Sequence, residues 1–169
     1  AATADVSRAG VITWTQGLPP VSFAARDNYN LGFTNTDFPD VNAGTTLLIE
    51  RHGTGTGEVR IYDTAVAVNG TIGGSGRLQM GSAATGTLTV NGFLAPGSSP
   101  GTLTLDGNLV MGDGATYLWE IGPGPGGPAD HLTDLAVVTG DLTLGGGMTV
   151  SIILNGDIDA DPAREYDLF

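Results

Sequence analysis

From Thr45 onward, apolar side chains alternate with threonine and other polar residues, and Gly or Asp interrupts the alternation every few positions. Alternation with period two puts successive side chains on opposite faces of an extended chain, the signature of a half-buried strand. The pattern predicts strands over 45–50, 58–63, 65–68, 77–80, 87–90, 102–105, 108–111, 116–121, 134–138, 141–144 and 148–154. Nowhere does the 3.6-residue spacing of an amphipathic helix take over, so no helix is predicted. The rhythm breaks at 95–100, 122–130 and 155–164, where Pro, Gly and Asp gather.

The first 44 residues read differently. Val11-Ile12-Thr13-Trp14-Thr15 predicts one strand, and Gly17-Leu18-Pro19-Pro20 ends it. Val21-Ser22-Phe23 predicts a second short strand, and 27–40 reads as a loop anchored by Tyr29, Phe33 and Phe38. The chain is therefore divided into an N-terminal arm or cap, 1–44, and a repeat domain, 45–169.

Internal repetition carries the architecture. Gly86-Thr87-Leu88-Thr89-Val90-Asn91-Gly92-Phe93-Leu94 matches Gly101-Thr102-Leu103-Thr104-Leu105-Asp106-Gly107-Asn108-Leu109 at an offset of 15 residues. Looser copies begin at Val66 and Ala136. The shared unit is strand, corner, strand, with Asn-Gly or Asp-Gly making a tight bend. The same dipeptide closes hairpins, so an antiparallel β-sandwich or jelly roll is the alternative. Short strands and reuse of one unit favour a right-handed β-helix or a similar β-solenoid, whose coils stack like residue over like. The core is then predicted to hold Leu47, Ile49, Val59, Ile61, Val66, Val68, Leu88, Val90, Leu103, Leu105, Leu109, Val137, Leu142, Leu144, Val150 and Ile152.

Composition narrows the setting. Glycine numbers 28 and proline 9 of 169 residues, and the 21 threonines complete a turn- and strand-forming inventory in which a helical bundle has no place. The net charge of -12 leaves no basic footprint for nucleic acid. No apolar run approaches the ~20 residues of a membrane helix. Cysteine is absent, which removes disulfide scaffolds, thiol catalysis and Cys-type zinc sites. The start at AATAD, without Met, matches what signal cleavage leaves and equally an arbitrary start.

The stretch LAPGSSPGTLTLDGNLVMGDGATYLWEI, followed by DHLTDLAVVTGDLTLGGGMTVSIIL, resembles the β-solenoid repeat of autotransporter passenger domains and of surface proteins with PEP-CTERM sorting tails. Ala95-Pro96-Gly97-Ser98-Ser99-Pro100-Gly101 carries the PG-x-SPG part of that pattern, and Asp134-Leu135 through Gly145-Gly146 the second part. The resemblance spans about Thr85 to Leu154, under half the chain. It implies a solenoid scaffold displayed at the cell surface. Such scaffolds carry varied cargo, so it implies no particular activity. The chain stops at Tyr166-Asp167-Leu168-Phe169, where such domains continue with another strand, which points to a processed product or a fragment.

Candidate chemistry is sparse. The histidines are His52 and His131, and no Ser lies in a nucleophile-elbow context. Asp130 with Asp134, or Asp106 with Asp113, are the carboxylate pairs a polysaccharide hydrolase or lyase would need. The competing reading is that these aspartates bond backbone amides at corners. Gly53-Thr54-Gly55-Thr56-Gly57 lacks the helix of a dinucleotide site, and 122–128 reads as a stiff exposed loop. Asn155, Asp157, Asp159 and Asp161 offer oxygen at alternate positions, a candidate calcium loop set against an ordinary acidic surface loop. Asn69-Gly70-Thr71 is a glycosylation sequon. Tyr117 and Trp119 share one strand face, as core filling or as a sugar platform.

The sequence is read as a structural, non-enzymatic extracellular protein: a β-solenoid subunit of a surface fibre, sheath or layer that assembles end to end with copies of itself. An adhesin or passenger fragment is the second reading, with a glycan as its partner, and a polysaccharide-active enzyme the third. No cofactor is expected beyond calcium. The assembly candidates are Val11, Ile12 and Trp14 in the arm, which would add as a strand to the edge left at Leu168 and Phe169.

Overall fold

Stacked parallel ladders, rather than hairpins, organise the chain. The computed structural model describes residues 2–5, 21–26, 31–33, 41, 43–44, 46–52, 58–61, 64–81, 83–97, 100–156 and 165–169. The first sheet contains β1 (Ala2–Asp5), β2 (Val21–Arg26), β4 (Thr46–His52), β7 (Thr71–Gly74), β10 (Phe93–Pro96), β13 (Thr116–Gly124) and β17 (Thr149–Leu154), with β14 (Gly127–Thr133) at its side. The second runs β3 (Leu31–Phe33), β5 (Glu58–Ile61), β8 (Arg77–Met80), β11 (Thr102–Asp106) and β15 (Leu135–Val138). The third runs β6 (Ala65–Val68), β9 (Thr87–Val90), β12 (Asn108–Met111) and β16 (Leu142–Leu144). Among the described residues every strand pairing is parallel except that of β14 with β13.

The chain visits the three sheets in turn and returns to the first one coil higher, which is β-helix or solenoid packing. The antiparallel sandwich is thereby ruled out. Pairing of Thr71 with Phe93, and of Phe93 with Thr116, sets a coil of about 22 residues in the middle of the stack. The 15-residue repeat is therefore not the coil. Its two halves are different corners: Asn91-Gly92 joins the third sheet to the first, and Asp106-Gly107 joins the second to the third. What repeats is the local chemistry of a bend, reused around one turn.

Both corners depend on glycine for a physical reason. A Cβ on Gly92 would lie 2.1 Å from the Gly70 carbonyl oxygen of the coil beneath. At Gly107, φ is +140° and a Cβ would approach the Met80 Cβ at 2.9 Å. Like residues do stack: the Asn91 side-chain amide donates to Asn69 Oδ1 at 2.9 Å, one coil down.

The alternation buries one row per strand. Leu88 and Val90 in β9, Leu103 and Leu105 in β11, and Leu109 in β12 are buried as predicted, with Leu47, Ile49, Ile61 and Val68 below them. Ile72, Leu78, Met80, Leu94 and Met111 join them. The phase of β15 differs from expectation: Ala136 is buried and Val138 packs on the core, so Val137 faces outward. Val66 is only partly buried, and the side chain of Val59 lies outside the described residues.

Several predicted boundaries move. β7 and β10 lie outside the predicted strand ranges, where a Gly-Gly pair and an Ala-Pro pair interrupt the alternation. Leu31–Phe33 forms a strand inside the expected loop 27–40. The expected loop 122–130 is instead the tip of a hairpin, where β13 runs on past Ile121 and turns into β14. β1, β2 and β3 pair in register with the strands above them, so the ladders continue below residue 45. The predicted strand at Val11–Thr15 lies outside the described residues.

Candidate functional site: one corner and the end of the stack

Among the described residues the most buried carboxylate is Asp134, 1% exposed, at the corner between β14 and β15. Its Oδ1 accepts from the Gly101 amide of the coil below at 2.9 Å, and its Oδ2 from the Glu120 amide at 3.1 Å. Its own amide donates to the Glu120 carbonyl, and its carbonyl accepts from the Trp119 indole at 2.7 Å. Burial, reinforced by the nearby Glu120 charge, outweighs the two amide bonds and pushes the Asp134 carboxyl up to about 6. The same burial, together with the charge of Asp134, drives the Tyr117 hydroxyl far above its usual range.

This corner explains the APGSSPG motif. Gly97 has φ +90°, and a Cβ there would strike Asp134 Oδ1 at 2.2 Å. Gly101 supplies the amide that Asp134 binds. The motif and the aspartate 33 residues later are two halves of one clasp between coils. The spacing between them was visible in the sequence, but the contact was not.

The other candidate carboxylates are also engaged in structure. Asp106 forms an ion pair with Arg77, and Asp113 Oδ1 accepts from the Gly146 amide at 2.7 Å. Asp106 and Asp113 are thus each held by a separate structural partner, and Asp134 caps a corner through backbone amides, as the competing reading had it. The side chain of Asp130 lies outside the described residues.

Of the calcium candidates, Asn155 donates through Nδ2 to Glu120 Oε2 at 3.1 Å, while Asp157, Asp159 and Asp161 lie outside the described residues. No cluster of three or more His, Cys, Asp or Glu side chains suited to a metal occurs among the described residues. Tyr117 and Trp119 are core residues, 0% and 3% exposed, and so form no sugar platform. Asn69 of the sequon lies exposed on a corner, within the asparagine pair described above.

The second feature is the end of the stack. Leu142 and Leu144 continue the buried column of Leu109 and Met111, yet are 37% and 55% exposed. Val150, Ile152 and Leu154 pair with Tyr117, Trp119 and Ile121, and all three are exposed. Leu142, Leu144, Val150 and Ile152 were predicted in the core; their inward phase holds, but they are exposed, because none of the described strands covers them.

Residues 165–169 cross part of this end. The Leu168 carbonyl accepts from the Tyr117 hydroxyl at 2.8 Å and from the Ala136 amide at 3.2 Å. The Phe169 ring stacks on Tyr117 with centroids 4.9 Å apart, and Tyr166 meets the Trp119 ring edge-on at 5.3 Å. Tyr166 also stacks on His131 and shares a hydrogen bond with its Nδ1. Of the assembly candidates, Leu168 and Phe169 are thus packed on the core's end, whereas Val11, Ile12 and Trp14 lie outside the described residues.

Comparison with known protein families, with curated proteins and with solved structures finds no match. The fold alone defines the class: an all-β chain with three parallel sheets in solenoid-like packing.

Proposed function

We propose that this chain is a structural β-solenoid unit of a cell-surface fibre, sheath or layer, and that its units join end to end. The observation that carries this reading is the row of exposed apolar side chains on β16 and β17. Leu142, Leu144, Val150, Ile152 and Leu154 stand in core register with their apolar faces exposed. Contiguous exposed apolar surface marks a site of association. A coil placed on top would bury those side chains and continue both ladders, as each coil of the chain does for the one beneath it. Joining of unlike ends does not close on itself, so it builds an open filament.

The surface location rests on the resemblance of 85–154 to passenger and PEP-CTERM-type solenoid repeats, and on an acidic, lysine-free, cysteine-free composition. The non-enzymatic reading is supported by the structural engagement of Asp106, Asp113 and Asp134. Electron microscopy and sedimentation of the purified chain over a range of micromolar concentrations test the proposal. Concentration-dependent filaments or linear oligomers are expected, and a monomer throughout overturns it.

One observation favours the adhesin reading beside it. The β13–β14 hairpin leaves the coil and carries Leu132, 46% exposed, near its base. Binding to glycan or cell surfaces that is lost when the 124–127 tip is replaced by Gly-Ser would establish that role.

A further inference from the structure

We propose that Asn69 is the acceptor of an N-linked oligosaccharide, and that the folded corner presents its side-chain nitrogen while tying up that of its twin, Asn91. The presence of a glycosylating enzyme rests on the export implied by the cell-surface reading. The acceptor geometry does not, and neither depends on the joining of units.

Eight asparagines occur in the chain, and Asn69 alone has Thr or Ser two residues on, across a residue other than Pro. Transfer of a bulky, solvated sugar needs that triplet at a surface. Asn69 is exposed, at the corner that joins β6 to β7. The Val41 carbonyl accepts from both the Asn69 and the Gly70 amides at 2.8 Å, which fixes the backbone of the corner. Thr71 opens β7, and Ile72 after it is buried, so alternation turns the Thr71 side chain outward. Neither Asn69 Nδ2 nor the Thr71 hydroxyl has a hydrogen-bond partner among the described residues.

Asn91 is a built-in comparison. It holds the same corner one coil up, is also exposed and is also followed by Gly. Two things separate it. Its third residue is Phe93 where Asn69 has Thr71, and its carboxamide is engaged at both ends. Nδ2 donates down to Asn69 Oδ1 at 2.9 Å, while Oδ1 lies where a Cβ on Gly112 would stand. Within the pair, Asn69 thus has its oxygen engaged and its nitrogen open.

The donor is a lipid-pyrophosphate-linked oligosaccharide. The bond between its first anomeric carbon and the phosphate oxygen breaks, and the pyrophosphate leaves with the electron pair. The anomeric carbon bonds to Asn69 Nδ2, which gives up one proton, and nothing is oxidised or reduced. The product keeps Oδ1, so the bond from Asn91 survives. The two stacked corners, 68–71 and 90–93, carry no charged side chain in a chain of net charge -12, which spares an anionic donor repulsion from the acceptor itself.

Incubation of the purified folded chain with a single-subunit oligosaccharyltransferase and its lipid-linked donor, read by intact mass and glycopeptide mapping, tests the geometry. One glycan at Asn69 is expected, and none in Asn69→Gln or Thr71→Val. Phe93→Thr completes a second triplet at a position that pairs with Thr71 and Thr116, so the fold should accept it. In that variant Asn91 should be modified about tenfold less than Asn69 in the folded chain, and comparably once both lie in tryptic peptides. A bare Asn69 in the folded parent chain overturns the proposal. Equal modification of Asn69 and Asn91 in folded Phe93→Thr overturns the role of the asparagine pair. Mapping of the chain recovered from its own cells completes the test. Exported but bare protein overturns Asn69 as a site in use, whereas protein retained inside the cell overturns the cell-surface reading and the use of the site with it.

Discussion

Leu109 and Leu142 hold the same position in consecutive coils, paired residue to residue, yet one is 1% exposed and the other 37%. Met111 and Leu144 repeat the contrast at 0% and 55%. Phase and strand type are alike in the two coils; the difference is that a described strand, β16, lies above the first and none of the described strands lies above the second. Burial in a stacked fold is a property of the neighbour as much as of the strand, so the energetics divide into what a coil is and what it sits against.

The largest test of that contrast is a matched pair of charges. Leu109→Asp buries an unpaired carboxylate between coils and should destabilise by about 4 kcal/mol or more. Leu142→Asp should cost less than about 1 kcal/mol, since its side chain reaches water. Urea unfolding of both variants gives the comparison, and equal losses would mean that the last coil is as fully covered as the middle ones.

The corners give the next effect. Gly92→Ala meets a backbone oxygen that cannot move aside, and should cost about 3 kcal/mol by forcing two coils apart. Gly146→Ala, at the equivalent corner of the last coil, finds only Asp113 Oδ1 at 3.6 Å, and should stay within about 0.5 kcal/mol of the parent. Thermal melts of the two variants decide whether close coil spacing, rather than turn propensity, selects glycine there.

Between the two regions lies Asp134, which joins them. Its carboxyl is raised from 3.8 to about 6 in the folded chain, so the folded state holds the proton more tightly than the unfolded one. The sign follows: this group favours folding most below pH 4, and its contribution falls as pH rises toward 6, by roughly 2 to 3 kcal/mol in all. Asp134→Asn keeps an acceptor at the corner and should flatten that part of the stability–pH curve. An unchanged slope would assign it to other groups.

The smallest effect should fall on folding and the most telling on association. Leu144→Ser should alter stability by less than about 0.5 kcal/mol, while Met111→Ser in the covered coil costs several times more. Sedimentation should show weaker self-association for Leu144→Ser. A variant that associates as well as the parent would remove this face from the interface.

Much of the fold was legible in the residues, for local reasons. The strands at Ala65–Val68, Arg77–Met80, Thr87–Val90 and Asn108–Met111 announce themselves by alternation, and the glycines at positions 92 and 107 by the bends they close. What was not legible depends on the neighbouring coil. Gly73 and Gly74 fall outside the predicted strands, yet they lie in one, and glycine stands there because the coils pack too closely for a side chain. Val137 outranks Ala136 in hydrophobicity, but the register with Leu103 and Leu105 turns Ala136 inward. The Asp134 clasp was readable as a generic cap; its partner on the coil below was not, since nothing local links it to Gly101.

The direction of the inter-coil hydrogen bonds has a mechanical consequence. In stacked parallel ladders these bonds run along the long axis of the coil stack, across the strands. A pull along that axis loads the interfaces between coils in series, and the weakest yields first, peeling off one coil as a unit. A pull along the strands loads the rungs of a ladder together, in shear, and they must fail at once. A thread built this way is stiff to sideways sliding of its coils and gives way by stepwise extension.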